Sequence, residues 1–192
     1  MPILYIAVMA VAFLLDRVVK NWAAGPLVDV HGGVLPLIPG VFQFTYAENR
    51  GAAFSILQGR TWLLIVLTAV ICLVGLYFLF FSRRRLPVFP SIAIALALGG
   101  ALGNLYDRVV LGYVIDMFDF CLINFAVFNV ADSFVNIGVV MLAIWMVFFE
   151  EKDKRRGDFR WGRPLPQVQA EERNEESEER HEELAMDRDE GR

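Results

Sequence analysis

The chain has 192 residues, 56% of them hydrophobic, and a formal net charge of −4. That apolar fraction exceeds the roughly 45–50% of an ordinary soluble domain and argues against one. The acidity belongs to a tail: residues 171–192 hold eleven acids and four arginines, so residues 1–170 carry a net +3 and the acidic balance identifies no partner.

A helix needs about 20 apolar residues to cross the hydrocarbon core, with about 17 as the practical minimum. The first apolar run, Met1 to Leu15, extends as a helix through Asp16, Arg17 and Lys20 to about Trp22, giving a first span over about residues 3–22. A cleaved signal peptide would open on a basic segment, and no Lys or Arg precedes residue 17, so the run is expected to stay as a span. Next, Phe42-Gln43-Phe44-Thr45-Tyr46 alternates apolar and polar side chains, the period of a half-buried strand. Pro36, Pro39 and Gly40 punctuate the chain before it, and Asn49-Arg50-Gly51 reads as a turn after it.

Three clearer spans follow, over about residues 61–82, 86–106 and 133–149, each free of charged side chains. The expected fold is an all-α polytopic membrane protein of four transmembrane helices, with a small extracytoplasmic antiparallel β-sheet resting on the bilayer. Residues 164–192, rich in Glu and Arg and poor in apolar side chains, are expected to be a disordered acidic cytoplasmic tail after a membrane domain of residues 1–163. Nine basic residues flank one side of the spans (Arg83 to Arg85, Lys152, Lys154, Arg155, Arg156, Arg160 and Arg163), against five on the other. The positive-inside bias then puts both termini in the cytoplasm and segments 23–60 and 107–132 outside.

Two histidines, His31 and His181, and two cysteines, Cys72 and Cys121, offer no metal-ligand spacing and no disulfide framework. No metal, cofactor or nucleic-acid partner is expected. Asp16 and Lys20, four apart on one helical face, read as an ion pair that lowers the cost of charges near lipid. Asn104, Asp107 and Arg108 share a face at the outward end of span three, above a Gly99-x-x-x-Gly103 that admits close helix packing. Arg108 is a candidate to bind a substrate carbonyl or a lipid headgroup, or to brace nearby carboxylates.

Asp116, Asp119 and Asp132 are the acids between Asp107 and span four. Asn129 reads as a helix N-cap with Asp132 as a first-turn acid, and position alone leaves Asp132 even between cap and catalyst. Two carboxylates brought together are enough for peptide hydrolysis, one ionised to draw a proton from water and one protonated to polarise the carbonyl. Spacing does not establish that Asp116 and Asp132 meet. A proton-coupled transporter or a structural membrane protein competes with an enzyme here. A transporter's acids, though, usually line a mid-membrane path, and the central stretches of these spans lack charge.

Five motifs in order across residues 15–133 resemble bacterial signal peptidase II. They are Leu15-Asp16-Arg17-Val18-Val19-Lys20, Asn49-Arg50-Gly51-Ala52-Ala53-Phe54, Gly103-Asn104-Leu105-Tyr106-Asp107-Arg108, Gly112-Tyr113-Val114-Ile115-Asp116 and Phe128-Asn129-Val130-Ala131-Asp132-Ser133. The resemblance implies an intramembrane aspartyl endopeptidase with Asp116 and Asp132 as catalytic pair. It implies that Asp16, Lys20, Asn49, Gly51, Phe54, Asn104, Asp107, Arg108 and Asn129 hold the site or the substrate. It further implies cleavage of prolipoprotein signal peptides just before a diacylglyceryl-modified cysteine, at the outer face of the bacterial cytoplasmic membrane. A monomer is expected to hold the whole site. Met117 stands where many relatives carry Phe, and the acidic tail matches no motif of the family. Neither Asp116 nor Asp132 is expected to anchor a span, and Asp116 is expected in a loop.

Overall fold

The computed structural model describes residues 2–30, 32–52, 56–81 and 86–149. The tail, Phe54 and the basic flanks at 83–85 and 152–163 lie outside the described residues, so expectations that rest on them stay expectations.

Among the described residues, four helices are long and apolar enough to cross a membrane. Helix α1 runs Pro2–Trp22 and continues as a wider π turn over Ala23–Leu27, where Pro26 cannot donate to the ordinary ladder. Helix α2 spans Thr61–Leu76 and continues as a π turn to Phe81. Helix α3 is Val88–Val110 and α4 is Val130–Phe148. Large apolar side chains lie exposed along these helices, among them Ile3, Val18, Leu73 and Val147. In water such surface would aggregate; in a bilayer it meets hydrocarbon. Span three ends four residues later than its apolar run suggested, and span four starts three earlier. Both differences have one cause: Asp107, Arg108 and Asp132 are helical, because buried partners inside the protein satisfy their charges.

Helix α3 packs against each of the other three. Its glycines explain how. A Cβ on Gly99 would stand 2.7 Å from the Met9 carbonyl oxygen of α1, and one on Gly100 would run into the Ala131 carbonyl of α4. A Cβ on Gly103 would meet the Asp16 carboxylate. The glycine spacing read in the sequence is therefore a packing device, and Gly100 turns it into a two-sided one.

Strands β1 (Val34–Ile38), β2 (Phe42–Asn49) and β3 (Val114–Asp119) form an antiparallel sheet in that order. Pro36 lies within β1, at the sheet edge, where its missing N–H is tolerated. Strand β2 is longer than the alternation over 42–46 suggested and carries Asn49 at its end. Asp116 is not in a loop: it sits on β3, paired with Ala47. Side chains alternate along that strand. Ile115 and Met117 turn into a small core with Ala23 and Leu27 of the π turn, against which Trp22 and Phe44 pack edge to face at 5.1 Å. Asp116 points the other way.

Candidate active site

Two polar layers meet where α1, α3, β3 and α4 converge. In the deeper layer, Lys20 is fully buried and its ammonium reaches three acceptors: Asp16 Oδ2 at 3.0 Å, Asp107 Oδ2 at 2.9 Å and Asn104 Oδ1 at 2.7 Å. Three donors on three acceptors leave no unpaired N–H, which makes a buried ammonium tolerable. Asp107 also accepts from the Ile115 amide at 3.2 Å and pairs with Arg17 at 2.7 Å. Asp16 Oδ1 accepts from the Ala131 amide at 3.0 Å, satisfying one of the orphan donors at the start of α4. A carboxylate on α1 thus holds the N-terminus of α4.

The pairing of Asp16 with Lys20 is as the spacing predicts. Arg17 is a residue the sequence reading passed over: it pairs with both Asp16 and Asp107 and lies 4.9 Å above the Tyr106 ring. Its signal was adjacency, since it sits inside the first motif. Asp16, Lys20, Asp107 and Arg17 do not line the cavity described next. They support it from behind.

The second layer faces a cavity of about 550 Å³, with Asn49, Asn104, Arg108, Asp116 and Asp132 on its polar side and residues 125–128 on its apolar side. Asparagines hold both carboxylates. Asn49 Nδ2 donates to Asp116 Oδ2 at 3.0 Å, and Asn129 Nδ2 donates to Asp116 Oδ1 at 2.6 Å. Asn104 Nδ2 donates to Asp132 Oδ1 at 2.7 Å, and the Asn129 amide donates to Asp132 Oδ2 at 3.2 Å. Asn129 therefore touches both acids, and its Oδ1 in turn accepts from the Asp132 amide at 2.9 Å. That last pair closes a capping box on α4. Asp132 is thus both the first-turn acid of the cap and a cavity carboxylate, and it does help to anchor its span. The residue before the cap is fixed as well, because Phe128 exchanges backbone hydrogen bonds with Phe118 of β3 at 2.8 and 3.1 Å. This clamp brings the start of α4 beside Asp116.

Burial, and secondarily the Asp132 charge, push the Asp116 carboxyl up to about 7 against the N–H bonds from Asn49 and Asn129. Arg108 donates to the Gly51 carbonyl at 3.0 Å, and Gly51 N donates to Asn49 Oδ1 at 2.9 Å. One guanidinium nitrogen is thereby spent on holding the turn that presents Asn49. Asp119 stands apart from the cavity, accepting from Gln43 at 2.8 Å and Thr45 at 3.0 Å on the sheet.

The family model described as signal peptidase (SPase) II matches residues 8–148. A lipoprotein signal peptidase of Clostridioides difficile is 45% identical over 151 residues, covering 79% of this chain and 99% of that one. One from Nostoc punctiforme is 46% identical over 138 residues, covering 70% and 83%. A bacterial membrane enzyme solved by the in meso method at 2.3 Å resolution superposes with a TM-score of 0.67 at 30% identity, covering 84% of this chain and 93% of that one. A second, at 1.9 Å, gives 0.66 at 32% identity, covering 76% and 93%. Four membrane-length helices, two carboxylates on one cavity and a match over most of the chain agree: the protein belongs to the signal peptidase II family of multi-pass bacterial membrane peptidases, which act on the signal peptides of prolipoproteins.

Proposed function

We propose that the protein is an aspartyl endopeptidase that cuts prolipoprotein signal peptides just before the diacylglyceryl-modified cysteine, with Asp116 and Asp132 as its catalytic pair. One observation carries the reading: Asn129 binds both carboxylates at a single cavity. Asp132, in the field of the α4 N-terminus and capped by N–H donors, stays ionised and takes a proton from water. The water oxygen attacks the scissile carbonyl carbon while Asp116, protonated at rest, donates to the carbonyl oxygen. As the tetrahedral carbon collapses, the C–N bond breaks, the proton held by Asp132 passes to the leaving nitrogen, and Asp116 takes a hydroxyl proton back as the new carboxyl group forms, which restores the starting pair.

The site works at the membrane surface, because a lipid-modified cysteine cannot leave the bilayer, and the bias of basic flanks makes that surface the outer face, with both termini cytoplasmic. The protease domain is residues 1–163, within which the family match covers residues 8–148, and one copy of the chain holds the whole site. Arg108, Asn49 and Asn104 hold the carboxylates and the turn beside them. Hydrolysis of a diacylglyceryl-modified prolipoprotein peptide in detergent tests the reading, with Asp116→Asn as control. Cleavage before the lipidated cysteine, lost in the variant, is the expected result. A variant that retains more than a few per cent of activity removes Asp116 from the chemistry.

A further inference from the structure

The cavity continues along α4 past the two aspartates, lined there by Ser133, Val135, Asn136 and Ile137. Asn136 lies four residues beyond Asp132 and so shares its helix face. It is six residues inside α4, about 9 Å from the helix start at 1.5 Å per residue. Its side chain is exposed, and among the described residues it makes no hydrogen bond. Ser133, one turn nearer the outside, already donates to the Asn129 carbonyl at 3.1 Å. Asn136 is therefore a free primary amide on the membrane-ward wall of the cavity, flanked by Val135 and Ile137. An unpaired amide facing hydrocarbon is costly, and among the described residues no acceptor takes its N–H groups.

The substrate has the complementary need. A signal peptide enters from the bilayer as a helix, but attack on its scissile carbonyl requires the neighbouring backbone to leave the helical ladder. The freed carbonyls then lie in a medium without water to receive them. Resting on the function proposed above, we propose that Asn136 is a substrate-binding residue: its amide donates to a carbonyl oxygen of the bound prolipoprotein on the membrane side of the cut. That oxygen belongs either to the unwound backbone upstream of the scissile bond or to an ester of the diacylglyceryl group.

The test compares wild type with Asn136→Leu, which keeps the branched four-atom side-chain skeleton and removes the amide, and with Asn136→Gln, which keeps the amide. Each is assayed on an ester-linked diacylglyceryl peptide and on its ether-linked counterpart, which lacks the ester carbonyls. The expected result for Asn136→Leu is a KM raised roughly 3- to 10-fold, the size of one net hydrogen bond, with kcat and its pH profile unchanged. Its Tm should be equal to or above that of wild type, because no internal bond is lost. Asn136→Gln recovers most of the affinity. A penalty that persists on the ether substrate assigns the backbone carbonyl; one that disappears there assigns the ester. A KM within twofold of wild type for Asn136→Leu overturns the proposal, and so does a lowered Tm with kcat lost in both variants, which would make Asn136 structural. Either outcome leaves the Asp116 and Asp132 reading standing, because wild-type cleavage tests that separately.

Discussion

Lys20 and Asn104, 84 residues apart in the chain, share a buried hydrogen bond of 2.7 Å. An ammonium can only donate, so this bond forces the Asn104 oxygen toward Lys20 and its NH₂ toward Asp132. A lysine with no access to the cavity thereby sets the orientation of a group that holds one of its carboxylates.

Lys20→Met should then do double damage. It leaves Asp16 and Asp107 buried with Arg17 as their remaining side-chain cation, and breaking one partner out of a buried charge cluster costs on the order of 3–5 kcal/mol. A clear fall in Tm in detergent is expected, and residual protein should cleave poorly because Asn104 Oδ1 keeps only the Asn129 Nδ2 donor, at 3.1 Å, to fix its orientation. An unchanged Tm would show that the cluster does not hold the helices together.

The two aspartates should respond differently to amidation. Asp116 accepts N–H bonds from Asn49 and Asn129, so Asp116→Asn sets one NH₂ against a donor while abolishing cleavage, but it replaces a neutral acid and removes no helix cap, so its Tm should fall by less than that of Asp132→Asn. Asp132 accepts N–H bonds at both oxygens and completes the α4 cap. Asp132→Asn sets an NH₂ against a donor and should cost about 1–3 kcal/mol in addition to activity. Parallel melting curves of the two inactive variants decide it, and equal losses would undo the assignment of acid and base.

Burial holds the Asp116 carboxyl up at about 7 in the folded protein, against 3.8 for an ordinary aspartate. Below about 4 it is protonated in folded and unfolded chains alike. Between there and 7 the unfolded chain releases a proton that the folded protein keeps, so stability falls as pH rises through this window. Asp116→Asn should flatten that part of the Tm-against-pH curve. In wild type, kcat/KM should decline as pH rises above about 7, where the proton needed for the carbonyl oxygen is lost. A rate still rising past pH 8 would contradict the role given to Asp116.

One native cysteine and two introduced ones report the topology. Cys121 is partly accessible in the turn between β3 and α4, and Cys72 is buried in α2. An impermeant maleimide applied to intact cells should label Cys121 and spare Cys72, and labels introduced near residues 84 and 160 should be protected. Labelling of 84 or 160 from outside would reverse the orientation.

The spans and their number were legible in the sequence because hydrocarbon imposes a length and an apolar composition on any helix that crosses it. The Asp16 and Lys20 pair and the Asn129 cap were legible too, since helical neighbours and caps are local. Span ends were not. Asp107, Arg108 and Asp132 look like boundaries in a one-dimensional reading, and only partners from other parts of the chain keep them within the packed helices: Arg17 and Lys20 for Asp107, the Gly51 carbonyl for Arg108 and Asn104 for Asp132. Nor could spacing say that Asp116 and Asp132 share a cavity. That depended on the strand pairing that turns Asp116 away from Ile115 and Met117, and on the Phe118–Phe128 clamp that sets Asn129 between them. Local pattern fixes what each segment is; long-range hydrogen bonds, which leave no periodic trace, fix which side chains meet.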